Sequence, residues 1–273
     1  MQTKLKISFI GGGNMAHALI GGLADKLTPA ANIHVVDVNP DALAKLAQDF
    51  GVSTAAQVDD VLSQSDVIVL AVKPQQMREV VNSIAPYVKQ QLVLSIAAGI
   101  RAADLSRWLG NHGAVVRTMP NTPALVGMGI TGMAALPGVT AAQKEVADAI
   151  LQAVGQTLWL EDESQIDAVT ALSGSGPAYV FYFIEAMEEA ALELGLTAAQ
   201  GRQLALATFA GATELAARSH DPVSELRERV TSKGGTTFAA LASMEASGVR
   251  HAIVRALHAA ADRGKELGEE FGR

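Results

Sequence analysis

The sequence predicts an α/β protein in which a doubly wound sheet is followed by an all-helical domain. Short β-rich runs alternate with helical runs up to about residue 160, as a parallel sheet with crossover helices requires. A glycine-rich turn follows the first of these β-rich runs. After Leu160 the chain is Ala-rich and has helical periodicity only, so we expect domains at residues 1–160 and 161–273.

The first domain is expected to contain strands and helices in alternation. The predicted strands are residues 5–10, 33–37, 67–72, 92–96, 115–119, 129–134 and 157–160. The predicted helices between them include residues 14–24, 40–48 and 141–154.

The second domain is expected to be entirely helical. Its predicted helices are residues 163–172, 177–194, 197–219, 222–230, 236–246 and 249–270. Residues 204–217 carry small apolar side chains around most of the helix circumference, which leaves little polar face for water. A single helical layer of this size would struggle to cover that surface, so we expect a homodimer or a larger ring.

Composition excludes several classes of function. The net charge of −7 and the absence of a dense Lys/Arg run argue against nucleic acid or an anionic membrane as partner. The chain has no cysteine, which excludes disulfides and thiolate catalysis. No metal-ligand cluster, signal peptide or bilayer-spanning stretch stands out, and a cytoplasmic location is the expectation.

The first β-rich run leads into a Gly-x-Gly-x-x-Ala pattern formed by Gly11, Gly13 and Ala16. In this context the glycines allow a tight turn and a close approach of backbone to a pyrophosphate. Asp37 follows the second run, where an acidic residue binds a ribose 2′-hydroxyl. Together they indicate a dinucleotide cofactor. The candidate cofactor-binding residues are Gly11, Gly12, Gly13, Asn14, Met15, Asp37, Ala71, Val72, Lys73, Pro74, Ala97, Ala98, Gly99 and Asn121.

Two segments of the helical domain combine small residues with hydroxyls. The first, Ser173-Gly174-Ser175-Gly176-Pro177, is expected to stop a helix, open its backbone and restart it, which suits a bound carboxylate; a helix kink with Ser caps is the alternative. The second, Ser232-Lys233-Gly234-Gly235-Thr236-Thr237, immediately precedes a helix. Its alternative is an ordinary helix start with Thr236 or Thr237 as N-cap.

These motifs together resemble the pyrroline-5-carboxylate reductase family. The resemblance rests on Gly11 to Ala16, Ala71-Val72-Lys73-Pro74, Met119-Pro120-Asn121-Thr122-Pro123, Asp167 to Thr170, Ser173 to Tyr179 and Gly234-Gly235-Thr236-Thr237. It implies a Rossmann-type N-terminal domain and a helical dimerisation domain, with rings of dimers in many members. The implied reaction is the reduction of 1-pyrroline-5-carboxylate to L-proline by NADPH or NADH, the final step of proline biosynthesis.

The resemblance also implies roles for individual residues. Ser232, Gly234, Gly235 and Thr236 would hold the substrate carboxylate, in a loop borrowed from the neighbouring subunit, with Ser173 as a further substrate-binding residue. Thr237 would hydrogen-bond near the ring nitrogen. Two further roles come from position alone. Lys73 ends a strand just before Pro74, so it is expected beside cofactor or substrate, with a solvated strand-end cation as the alternative. Glu163 begins the predicted helix that leads into the first segment, so it is expected to stabilise the iminium charge or to be a first-turn acid that satisfies a helix dipole.

Two positions depart from the family pattern. Asp37-Val38 stands where members that prefer NADPH often carry an Asn-Arg pair, and an acidic side chain there disfavours a 2′-phosphate, so both NADH and NADPH stay open as cofactors. Lys233 replaces the usual proline of the second loop.

Two other functions suit parts of the pattern. A β-hydroxyacid or ketopantoate-type dehydrogenase would need a catalytic lysine on a helix of the second domain, where the only lysines are Lys233 and Lys265. A non-catalytic sensor of the nicotinamide redox state would not need the two Gly/Ser/Thr segments.

Overall fold

The computed structural model describes residues 3–272, and within them eight strands form one sheet. The strands are β1 (Ile7–Ile10), β2 (Ile33–Val36), β3 (Ser53–Ala55), β4 (Val67–Leu70), β5 (Leu92–Ser95), β6 (Val115–Met119), β7 (Gly129–Ala135) and β8 (Gly155–Trp159). Their order is β3-β2-β1-β4-β5-β6-β7-β8. The chain order therefore reverses direction between β1 and β4, which is where such sheets bind ligands.

The predicted α/β class is confirmed, but the sheet is not parallel throughout. Ile7 of β1 lies opposite Ile33 and Val67 in parallel register, whereas Arg117 of β6 lies opposite Ala134 of the antiparallel β7. The loop between β6 and β7 is too short for a helical crossover, so the chain can only return antiparallel. The expectation of a parallel sheet is wrong at this one pairing.

Strand β3 was not predicted, and several predicted strand ends were too long. Ser53–Ala55 has three residues, two of them exposed, so it carries no hydrophobic pattern. The strand predicted at 67–72 ends at Leu70, because the next residues turn into the helix that begins at Pro74.

The helices of the sheet domain begin at recognisable signals. They are α1 (Asn14–Leu23), α2 (Pro40–Phe50), α3 (Pro74–Ile84), α4 (Ala102–Trp108) and α5 (Ala141–Gln152). The Asn39 side chain caps α2, with Pro40 at its first position, and Thr140 and Gln143 form a capping box at α5.

Two hydrophobic clusters cover the two faces of the sheet. Phe9 of β1 packs with Leu19 of α1, and this cluster also includes side chains of α2 and α5. Ile68 of β4 packs with Met77 of α3 and Leu105 of α4 on the other face. Successive residues of a strand point to opposite faces, and this alternation divides the strand side chains between the clusters. The carboxyl edge of the sheet is thereby fixed from both sides.

Helices alone follow β8 in the described part of the chain. They are α6 (Gln165–Val169), a π-turn (Thr170–Gly174), α7 (Gly176–Glu193), α8 (Ala198–Arg218), α9 (Val223–Arg229), α10 (Thr236–Ala246) and α11 (Val249–Phe271). None of the described helices is long and apolar enough to cross a membrane.

The contacts divide the chain into two compact units. One runs up to Ser175 and takes in the stretch from Ala260 onward, and the other is Gly176–Ala259. Within the second unit, few of the described residues are buried, namely Ile184, Ala191, Gly201 and Ala205. Large apolar side chains are exposed on it instead, among them Phe181, Tyr182, Leu204, Leu215 and Phe238. Exposed apolar surfaces of this extent mark sites of interaction with proteins, membranes or ligands.

The close packing of α1 on the end of α5 predicts the effect of a single methyl group. A Cβ at Gly22 would lie 2.6 Å from the carbonyl oxygen of Ala153 and 3.0 Å from the Val154 side chain. Gly22→Ala should therefore lower the free energy of unfolding by about 1–3 kcal/mol, measured by denaturant titration.

Gly264→Ala in α11 is the matched control. Its Cβ would have its nearest neighbours at 3.8 Å, an ordinary contact distance. We expect the free energy of unfolding to stay the same or to rise by up to about 1 kcal/mol, because alanine has a higher helix propensity than glycine. Equal stability of the two variants would contradict the packing described here.

Candidate active site

The loop between β1 and α1 is fixed by backbone contacts and leaves a helix end open. Gly11 has φ +102°, and a Cβ there would lie 2.6 Å from the carbonyl oxygen of Ala71. Gly13 is the N-cap of α1 without a side-chain cap, and nothing lies within 4 Å of where its Cβ would be. Ala16 is buried against the core. The open N–H groups of the first turn and the space above Gly13 suit a phosphate group.

Asp37 lies directly after β2, and two backbone N–H groups orient its carboxylate. Gly12 donates to Oδ2 at 2.6 Å, and Asn39 donates to Oδ1 at 2.8 Å. A negative charge is thus held next to the glycine loop, as recognition of a ribose hydroxyl requires.

A cleft of about 670 Å³ lies along the carboxyl ends of β1, β2 and β4. Predicted cofactor residues that line it are Gly11, Gly13, Asp37, Ala71, Val72 and Lys73. The other candidates, Gly12, Asn14, Met15, Pro74, Ala97, Ala98, Gly99 and Asn121, do not line it. The glycine loop, the open helix end and the fixed carboxylate fit a dinucleotide. Lys73 is exposed at the start of α3 and is the one Lys or Arg among the described residues that line the cleft.

The loop after β5 carries Ala97, Ala98 and Gly99 and is held from two directions. Gly99 has φ +71°, and its Cβ position lies 3.0 Å from Cβ of Leu267 in α11. At the end of the loop, the backbone N–H of Ala102 donates to Oε1 of Glu163 at 2.7 Å. The loop is therefore anchored to both α11 and the segment before α6.

Arg117 of β6 is a buried cation with two carboxylate partners. Its guanidinium donates to Oε1 of Glu163 and to Oδ1 of Asp167, each at 3.2 Å, and its side chain is 4% exposed. Its Nε has no partner within the described residues. Arg117 is absent from the residues that the sequence predicted for the site, although a cation inside the apolar run of β6 is itself a signal of a buried ion pair.

Glu163 does not lie where the first-turn alternative placed it. Helix α6 begins at Gln165, so the carboxylate precedes the helix and bonds Arg117 and the N-terminus of α4 instead. The first-turn alternative is wrong for that reason.

The segment around Ser173 is a π-turn and does not open. The Ser175 N–H donates to the carbonyl of Thr170 at 2.8 Å, and the Ser173 hydroxyl donates to the carbonyl of Val169 at 3.0 Å. The end of the Met119 side chain occupies the position that a Cβ at Gly174 would take, so the two residues pack closely. The helix does stop and restart as predicted, since Ser175 lies outside both helical segments and α7 begins at Gly176, but the backbone around Ser173 stays hydrogen-bonded and does not open. The Ser-capped alternative is wrong for Ser173, because its hydroxyl bonds back to its own helix. Turns of this kind occur frequently at functional sites.

The second hydroxyl-rich segment begins α10 without a side-chain cap. Gly235 is the N-cap, so neither Thr236 nor Thr237 caps the helix, and that alternative is wrong. Gly234 has φ +75°, and Gly235 donates to the carbonyl of Ser232 at 3.0 Å. No side-chain hydrogen bond within residues 3–272 uses Ser232, Thr236 or Thr237. Their hydroxyls and the open end of α10 suit an anionic group.

The buried cation of β6 gives a prediction about stability. Arg117→Met would leave the carboxylates of Glu163 and Asp167 without their cation. We expect the free energy of unfolding to fall by about 3 kcal/mol. This is the low end of the range for breaking a buried ion pair, because both carboxylates keep some contact with water. Denaturant titration measures it.

Arg202→Met provides the control, because it removes an exposed pair with Glu188. Exposed pairs contribute little, so this variant should unfold near the wild-type midpoint. A loss from Arg117→Met no larger than that of the control would show that the buried pairs do not hold the fold.

Comparison with protein families gives matches over both parts of the chain. Residues 163–267 match the model described as pyrroline-5-carboxylate reductase dimerisation, and residues 6–99 match the model described as NADP oxidoreductase, coenzyme F420-dependent. The chain is 48% identical over 269 residues to the pyrroline-5-carboxylate reductase of Pseudomonas aeruginosa, and the match covers 98% of each chain.

Two solved structures match this chain over nearly its whole length. The pyrroline-5-carboxylate reductase of Coxiella burnetii superposes with a TM-score of 0.90 at 39% identity, covering 97% of this chain and 99% of that one. The pyrroline carboxylate reductase of Plasmodium falciparum, solved with NADP bound, has a TM-score of 0.89 at 30% identity and covers 98% of this chain and 100% of its own.

Proposed function

The chain belongs to the pyrroline-5-carboxylate reductase family, and from that premise we propose how its residues share the reaction. The enzyme reduces 1-pyrroline-5-carboxylate to L-proline with NADPH or NADH, the final step of proline biosynthesis. The observation that carries this conclusion is the 48% identity across 98% of the chain. The division into a dinucleotide-binding domain at 1–160 and a substrate-binding and dimerisation domain at 161–273 is part of the proposal.

The cofactor is assigned to the cleft at the carboxyl edge. The first turn of α1, with Gly11, Gly12, Gly13, Asn14 and Met15, would hold the pyrophosphate, and Asp37 the adenosine ribose. Ala71, Val72, Lys73 and Pro74 after β4, and Ala97, Ala98 and Gly99 after β5, would surround the nicotinamide. When bound, the reduced nicotinamide supplies the hydride for the carbon of the C=N bond.

The substrate is assigned to the hydroxyl-rich segments. Ser232, Gly234, Gly235 and Thr236 would bind the carboxylate through backbone N–H and hydroxyl donors, which their uncapped geometry supports. Thr237 would hydrogen-bond near the imine nitrogen, and Ser173 would contribute a further contact. The protonated imine is the better electrophile, so groups that favour it accelerate the reaction.

Two charged residues remain candidates for the reacting centre. Lys73 projects from the cleft edge, where its charge would lie beside cofactor or substrate. Oε1 of Glu163 already accepts hydrogen bonds from the Ala102 N–H and from Arg117. Glu163 would therefore stabilise the iminium charge through Oε2.

The active form is proposed to be a homodimer. The exposed apolar side chains of Gly176–Ala259 and the dimerisation model matched by residues 163–267 support it. The loop at 232–237 of one subunit would serve the reaction of its neighbour, and dimers would assemble further into a ring. The cytoplasmic location stays a prediction.

A direct assay tests the proposed function. Nicotinamide absorbance is followed with purified protein and 1-pyrroline-5-carboxylate, with NADH and NADPH in parallel. We expect oxidation that depends on the imine. No oxidation with either cofactor, in a protein that binds one of them, would overturn the assignment.

The carboxylate of Asp37 predicts the cofactor preference. Wild-type enzyme should favour NADH, because the fixed negative charge repels a 2′-phosphate. Asp37→Asn should raise the ratio of kcat/KM for NADPH over NADH by roughly tenfold, which corresponds to about 1.4 kcal/mol.

Asp41→Asn is the control for net charge. Asp41 is exposed in the first turn of α2, four residues beyond Asp37, and is absent from the residues that line the cleft. Its substitution should leave the ratio unchanged. An equal change in both variants would mean that general electrostatics, and not Asp37, sets the preference.

The Thr237 hydroxyl is expected to matter for turnover. Thr237→Ala should lower kcat by roughly tenfold to a hundredfold, the effect of losing a hydrogen bond to a charged group, with little change in cofactor affinity. Thr237→Ser keeps the hydroxyl and should retain most of the rate. Wild-type turnover by the alanine variant would remove Thr237 from the mechanism.

A further inference from the structure

Asn121 lies just after β6, and its amide joins two other parts of the fold. Its Nδ2 donates to the carbonyl of Ser173 in the π-turn at 3.2 Å, and its Oδ1 accepts from the backbone N–H of Ile130 in β7 at 2.9 Å. The residue is 9% exposed. Both ends of the amide are in use, and little of its surface remains for a ligand.

The carbonyl that Asn121 contacts lacks its ordinary helical partner. In an α-helix the carbonyl of Ser173 would accept from the backbone N–H of residue 177, but that residue is Pro177 and has no N–H. Asn121 supplies a donor from the sheet in its place. Ser173 is partly buried, and a carbonyl without a donor is costly there, so this bond favours the observed turn.

The π-turn is also pressed against the sheet by apolar contacts. Met119 fills the space beside Gly174, and a Cβ at Gly132 of β7 would lie 2.7 Å from the Val169 side chain. These contacts hold the turn close to the sheet, but apolar contacts depend little on orientation. The Asn121 amide is directional, so it can fix the rotation of the turn about its axis.

We propose that Asn121 is a positioning residue: it sets the rotation of the π-turn, and with it Ser173, relative to the carboxyl edge of the sheet. A π-turn contains one more residue than an α-turn, so its conversion to a regular helix would rotate Ser173 by about 100° relative to one flank. This inference deepens the proposed function and rests on it. It differs from the sequence-based assignment of Asn121 to cofactor binding.

Asn121→Asp tests the inference with little change of shape. The carboxylate can still accept from Ile130, but it cannot donate to Ser173 and repels that carbonyl. We expect KM for 1-pyrroline-5-carboxylate to rise about tenfold or more while the dissociation constant of the cofactor stays within about twofold of wild type. Amide hydrogen exchange across residues 169–176 should become faster, with α8 unchanged.

Asn32→Asp is the matched control. Its Nδ2 bonds the Thr28 hydroxyl before β2, at the opposite edge of the sheet. It should change neither KM nor exchange at 169–176. Should Asn121→Asp fail to fold, Asn121→Ala removes the same donor and is expected to shift both readouts in the same direction.

Two results would overturn the inference. One is a weaker cofactor affinity with an unchanged KM for the imine, which would make Asn121 a cofactor contact. The other is unchanged exchange at 169–176. If wild-type protein does not reduce the imine, the proposed function fails, whereas the exchange measurement still tests the tie to Ser173.

Discussion

The buried guanidinium of Arg117 is the interaction on which the geometry of the carboxyl edge depends. It joins β6 to Glu163 and Asp167, which lie 46 and 50 residues further along the chain, and Glu163 in turn bonds the first N–H of α4, 61 residues before it. A buried charge is tolerated only while its partners remain in place, so strand, helix start and loop are held in one arrangement. The π-turn follows α6 directly, so the same contacts fix its place beside the sheet.

The features assigned to cofactor binding lie where strands end. The glycine loop, Asp37 and the Ala71 to Lys73 segment each come directly after a strand of the parallel part of the sheet, and they meet in one cleft. The helical unit contributes a different kind of surface, with apolar side chains exposed and an uncapped helix start at Gly235. In the proposed dimer the same unit would both hold the subunits together and supply substrate contacts, which would couple activity to assembly.

Local signals in the sequence were sufficient to predict much of the fold and of the candidate cofactor site. The β-rich runs, the glycine loop with its acidic partner, and the helix starts at Pro40 and Ala141 are encoded within a few residues, and each was found where expected. Arg117 pairs with Asp167, and Asn121 bonds the Ser173 carbonyl. Each contact joins residues far apart in the chain, so no local pattern reveals these partners. The π-turn was missed for a related reason, since glycines and serines beside a proline indicate a break, whereas the amide of Asn121 and the Met119 side chain hold the segment helical.

Transfer of a labelled hydride tests whether the enzyme reduces the C=N bond of 1-pyrroline-5-carboxylate. The enzyme is given 1-pyrroline-5-carboxylate and NADH that carries deuterium at the transferable position of the nicotinamide, and the proline formed is analysed by mass spectrometry. We expect proline with one deuterium on the ring carbon that was part of the C=N bond. Consumption of the cofactor without labelled proline would contradict it.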